Sequence, residues 1–171
     1  RSIFIASCLL LSGVIVLLAT LMYKRKNKYR EYIIIPIVFS LYSILSYCLF
    51  LMTGPQSHNL AVFLDSLFFI GTDWMALYIM VFAIVYTEIG IKHKKTIIKV
   101  ASIFCFADTI LLIVNNFTHH MFDLELRYDK FNNFFWANNF KWAHFLHLGM
   151  CYIMVGITIV LFTVITLKVS K

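Results

Sequence analysis

The chain has 171 residues, of which 61% are hydrophobic and 13% charged, and its mean hydropathy is +0.85. Soluble domains carry about 45–50% apolar and about 25% charged residues, so the composition excludes a water-soluble globule, a disordered tail and a disulfide-dense secreted scaffold. The net charge of +7 raises the question of nucleic acid, but the basic residues sit in short segments between apolar runs, with no folded basic module to carry such binding.

About 20 apolar residues in a helix cross a hydrocarbon core of about 30 Å. Five stretches meet that length: about 3–23, 32–52, 60–86, 96–115 and 144–167. They predict an all-α integral membrane protein, a single transmembrane domain over 1–171. The first apolar run is too long for the core of a signal peptide and no cleavage signature follows it. An opening Arg1 fits a fragment or a processed product.

Charge sets the orientation. Lys24, Arg25, Lys26, Lys28 and Arg30 follow the first span, Lys92, Lys94, Lys95 and Lys99 follow the third, and Lys168 and Lys171 follow the fifth. Arg1, Arg127, Lys130 and Lys141 fall on the other side. The positive-inside rule then places the N-terminus outside and the C-terminus in the cytoplasm, with the basic clusters beside anionic lipid.

Of the outer connections, Thr53–Asn59 is short and the one over about 116–142 is long. Within the long one Phe122, Leu124, Leu126 and Tyr128 alternate with Asp123, Glu125, Arg127 and Asp129. Period two predicts a strand with one apolar face. Lys130–Asn133 reads as a turn and Phe134–Phe140 as a return strand. The expectation is an extracellular β-hairpin lying over the helix ends as a lid, or its aromatics settling at headgroup depth as a belt.

Polar groups inside the spans are costly and mark function or internal pairing. Asp65, Phe69, Thr72 and Ala76 share one helical stripe with Asp73 at its edge; Asp108 and Asn115 share a face; His144, His147 and Cys151 share another; Ser40, Ser43 and Tyr47 align on the second span. An outward-facing pocket beneath the hairpin would be built from Asp65, Asp73, Asp108, Asn116, His119, His144 and His147, with Trp74 and Trp142 as stacking walls. The alternative is a set of hydrogen bonds that only hold the bundle together.

His144-x-x-His147 has helical spacing that suits zinc or haem iron, but no HExxH or CxxCH accompanies it, and no metal or cofactor is expected. Cys8, Cys48, Cys105 and Cys151 form no CxxC and read as buried thiols. A Gly-rich phosphate loop, GxSxG and a zincin motif are absent. Gly71-Thr72-Asp73 lacks the second glycine of an intramembrane aspartyl protease. No enzyme is expected.

Three patches resemble the N-terminal seven-helix sensor region of bacterial histidine kinases and GGDEF diguanylate cyclases. Phe82-Ala83-Ile84-Val85-Tyr86-Thr87 ends the third span. Asn115-Asn116-Phe117-Thr118-His119-His120-Met121-Phe122 ends the fourth. Trp142, His144, His147 and Tyr152 open the fifth. Ala76 stands where that family often has proline, and Asn115 where threonine is usual. The resemblance implies the first five helices of a sensor, two more after Lys171, an external or membrane-borne cue, a cytoplasmic output domain outside this chain, and homodimers; with the polar pocket, the expected cue is a small-molecule ligand, which the resemblance does not identify. The alternatives are a substrate-binding membrane component of a small-molecule transporter and a structural assembly subunit.

Overall fold

The computed structural model describes residues 29–87 and 92–169, together with Gly13, Val14, Val16, Leu17 and Thr20 of the first apolar run, which are helical. The rest of the first predicted span, 3–23, lies outside the described residues. Four long helices follow: α1 (Arg30–Leu51), α2 (His58–Tyr86), α3 (Lys94–Thr118) and α4 (Trp142–Val169). At 1.5 Å per residue each exceeds the thickness of a hydrocarbon core, and each is apolar enough to cross one. They correspond to the second to fifth predicted spans, and all four begin two residues before the predicted start. Between α3 and α4 lies an antiparallel hairpin of β1 (Phe122–Tyr128) and β2 (Phe134–Phe140).

The helices run up and down. The α1–α2 turn and the hairpin mark one end, and Arg30, Tyr86, Lys94 and Lys168 mark the other, basic end. There Tyr29 meets Tyr86 edge-on at 5.5 Å. Half of the most apolar stretch of α2 is buried, against 22% or less in the other three helices. α2 is therefore the hub: it packs along α1, α3 and α4, whereas α3 and α4 scarcely touch each other. Small residues let neighbours approach it. At Gly71 an added Cβ would overlap Ser43 Oγ and Tyr42 Cδ1 of α1. α2 also runs unbroken through Ala76, where the resembling family often carries proline.

That central position revises the expected stripe on α2. Asp65, Phe69 and Ala76 are buried, but so are Gly71, Asp73 and Leu77, while Thr72 is only half-buried and donates to Phe68 O. A helix contacted from three sides has no single buried face.

The hairpin forms at the predicted residues, with Phe122 opposite Phe140 and Tyr128 opposite Phe134. Its base is driven into the bundle. Phe122 and Leu124 are buried, Leu126 is half-buried and Tyr128 is exposed. Asn115 fixes the return of the chain: its Oδ1 accepts from Met121 N at 2.8 Å and its Nδ2 donates to Phe122 O at 3.1 Å. Trp136 Nε1 donates to Thr53 Oγ1 in the α1–α2 turn at 3.1 Å. So the base is a plug, while the tip exposes Phe131, Phe134 and Phe135.

Two apolar cores result. One, at the hairpin end, gathers Phe50, Val62, Phe69, Leu112, Phe122 and Leu124. The other, toward the basic end, gathers Leu77, Met80, Ile84, Cys105, Met154 and Leu161. On α2 the first ends at Phe69 and the second begins at Ala76; Asp73 lies between them.

Candidate functional site

Three helices send ionisable groups into that boundary. His147 of α4 places Nδ1 2.8 Å from Asp108 Oδ2 of α3 and 3.3 Å from Asp73 Oδ2 of α2. Asp73 and His147 are 3% and 2% exposed. The Asp73 and Asp108 carboxyl groups are neighbours. Cys151, one turn along α4, donates its thiol to Asp73 Oδ1 at 2.7 Å. Asp73 Oδ2 receives no hydrogen bond. Cys105 of α3 lies beside them, 3.9 Å from both Asp73 O and Met154 Sδ.

The local sequence explains the convergence. His147 and Cys151 are four apart and share a face of α4. Asp73 stands in the middle of α2, on the central helix of the bundle. The base of the hairpin sets α4 against α3: Lys141 N donates to Met121 O at 2.9 Å, beside the Asn115 anchor. Asp108 lies seven residues before Asn115, and His147 six residues after Lys141, so both descend about 10 Å from that anchor at 1.5 Å per residue.

Above the cluster the groups are aromatic. Phe69 meets His144 at 5.0 Å and His147 at 5.2 Å between ring centroids, both edge-on. His144 stacks on Phe140 at 4.0 Å, and its buried Nδ1 has no partner. Asp65, two turns nearer the hairpin than Asp73, is buried against the side chain of Asn138 in β2.

Of the residues expected to line a pocket, the structure thus brings Asp73, Asp108 and His147 into contact and places His144 one turn above them. Asp65 is separate, under β2. Trp74 is half-buried beside the cluster: it donates to Thr109 Oγ1 at 3.0 Å and stacks on Phe39 and lies tilted against Tyr78. Asn116 turns back onto its own helix, donating to Ile113 O at 3.0 Å. Trp142 is 73% exposed and walls nothing. His119 caps α3 in the left-handed region, φ 49°, and belongs to a second group at the hairpin end. There His119 Nδ1 and His58 Nε2 lie 3.2 and 3.1 Å from Asp123 Oδ1.

Sequence reasoning missed His58, which follows a Gly-Pro turn and carries no intramembrane signal. It also left Cys151 as a bland thiol, although its offset from His147 placed both on one face. Among the described residues, cavities of 340, 360, 450 and 530 Å³ along the bundle are lined by other residues, except that Trp74 borders one of them.

The arrangement permits a shared hydrogen bond. Nδ1 of a neutral or protonated imidazole carries at most one hydrogen, and two carboxyl groups on different helices stand ready to accept it. No family model, curated protein or solved structure matches the chain.

Proposed function

We propose that this chain is the input module of a membrane receptor. It has five spans, the N-terminus and hairpin outside and the C-terminus in the cytoplasm. A small ligand at the hairpin side biases the packing of α2, α3 and α4, and that bias passes to an output domain of the histidine kinase or diguanylate cyclase type outside this chain. The observation that carries the reading is His147 standing between carboxyl groups of two other helices. One hydrogen and two acceptors give two discrete arrangements, one favouring α4 with α3 and one favouring α4 with α2. A signal needs only to prefer one of two such states. The aromatic layer of Phe69, Phe140 and His144 links the hairpin base to the cluster. The basic ends of α3 and α4 support the orientation.

The test is a distance measurement in nanodiscs between spin labels at Lys95 and Leu167, attached through non-thiol side chains so that the cysteines remain. Asp108→Asn and Asp73→Asn each weaken one acceptor. The expected result is that the two substitutions shift the α3–α4 distance distribution in opposite directions. Equal or absent shifts in well-folded variants would sink the switch and leave a packing role.

A further inference from the structure

We propose that Asp73, His147 and Cys151, with Asp108 as fourth ligand, form a site for a divalent transition-metal cation of the zinc class. The inference deepens the receptor reading, on which it rests for its meaning as a signal but not for binding itself. One ligand atom from each of Asp73, His147 and Cys151 lies within 4.8 Å of the others. They offer oxygen, nitrogen and sulfur, the donor set of borderline-soft zinc rather than of magnesium or calcium, which take oxygen.

The geometry is already close. Two ligands 2.0–2.1 Å from a tetrahedral ion stand about 3.3 Å apart. His147 Nδ1 and Asp73 Oδ2 are 3.3 Å apart, and that oxygen is buried without a hydrogen bond. A free lone pair pointing into a buried polar cluster lacks the partner that buried oxygens normally have. Asp108 Oδ2, 2.8 Å from the same nitrogen, needs to retreat by about half an ångström to become the fourth ligand.

Charge also fits. With Asp73 and Asp108 as carboxylates, Cys151 as thiolate and His147 as neutral imidazole, the four ligands sum to three negative charges, of which a dication neutralises two. Binding to the imidazolium form expels the thiol proton and the Nδ1 proton to solvent, leaves the other imidazole hydrogen on Nε2, and changes neither the net charge of the cluster nor any oxidation state. It also replaces the either-or hydrogen bond by one centre that draws α2, α3 and α4 together.

The experiment uses the full chain in nanodiscs, stripped with chelator and titrated with Co²⁺. One equivalent is expected, with the absorption of a tetrahedral cobalt thiolate, displaced by Zn²⁺. Cys151→Ser removes the thiolate band, Asp73→Asn weakens binding at least about tenfold, and Asp123→Asn at the hairpin-end histidines changes neither. X-ray absorption of the zinc-loaded unmodified chain, which depends on no variant, should show one sulfur at about 2.3 Å beside oxygen and nitrogen at about 2.0–2.1 Å. No thiolate band, a band that survives Cys151→Ser, a zinc shell without sulfur, or binding lost through Asp123→Asn would each overturn the site. A chain that takes no metal yet shows opposite distance shifts refutes the metal alone. A chain that binds metal without such shifts refutes the switch alone.

Discussion

His147 lies against two carboxyl groups, and its removal strands Asp108 Oδ2 and leaves Asp73 with the Cys151 thiol alone. Buried polar atoms left without a partner cost about 1–3 kcal/mol each, although measured interhelical hydrogen bonds in membranes average only about 0.6 kcal/mol. His147→Leu is therefore expected to destabilise the bundle by about 1–3 kcal/mol, read as a fall in the unfolding midpoint in detergent. Replacing Asp73, Asp108 and His147 together by leucine should recover much of that loss, because the charged members go together and only the weak Cys151 thiol donor loses its partner. A triple variant less stable than the single one would mean that the cluster holds the fold together by itself. These residues were legible in the sequence because an Asp or His inside an apolar run has few bland explanations. Asn115 and His58 were less so. Asn115 acts through backbone groups of Met121 and Phe122, and no side-chain pattern announces a partner that is main chain.

At the scale of elements the hairpin was the most legible part, since strict alternation over Phe122–Asp129 allows one register of apolar side chains. Its turn shows why it closes where it does. Asp129 Oδ1 accepts from Phe131 N at 2.8 Å and Asn133 N at 2.9 Å, and Asn132 adopts φ 63°, a conformation asparagine tolerates. The Asn133 backbone and side chain, then Phe131, hold the Asp129 carboxyl below its usual range. The Arg127 and Asn139 side chains do the same for Glu125. A lowered folded value means that the stabilisation is present at neutral pH and is lost as pH falls through that value. Protection of the Phe131 and Asn133 amides, taken relative to intrinsic exchange at each pH, should fall below the ordinary carboxylate range, and in Asp129→Ala it should be low at every pH. The base answers to a different residue. Asn115→Ala frees the Met121 and Phe122 backbone groups, and a loss of about 1–3 kcal/mol should accompany faster exchange at β1 while the turn stays closed. The helices themselves were legible to within a few residues at either end. Which helix would be central was not, because all four are apolar on every side and only the contacts single out α2.

Across the whole molecule, two apolar cores joined by a thin polar layer around one hub helix make unequal demands on the parts. α2 shares both cores and touches three helices, so its opening requires unfolding of everything. α3 and α4 each lean on α2 and little on each other, and an apolar cavity of 340 Å³ separates them, floored by Met80 and walled by Val100, Phe104, Ile153 and Ile157. The bundle can thus change the α3–α4 separation without surrendering either core, which is the motion that a switch at His147 requires. Gly71 tests the hub from the opposite side. Gly71→Ala drives a methyl group into Ser43 and Tyr42 of α1, and the strain of overpacking is of order 1–3 kcal/mol. Because α1 carries none of the cluster, the substitution should lower the unfolding midpoint while leaving the Lys95–Leu167 distance distribution in the remaining folded chain unchanged. Hydrogen exchange should show the same division, slowest along α2 between Phe69 and Ile84 and faster on the facing sides of α3 and α4. If α3 and α4 exchanged as slowly as α2, the seam would be rigid, and the proposed switch at His147 would have no motion to act through.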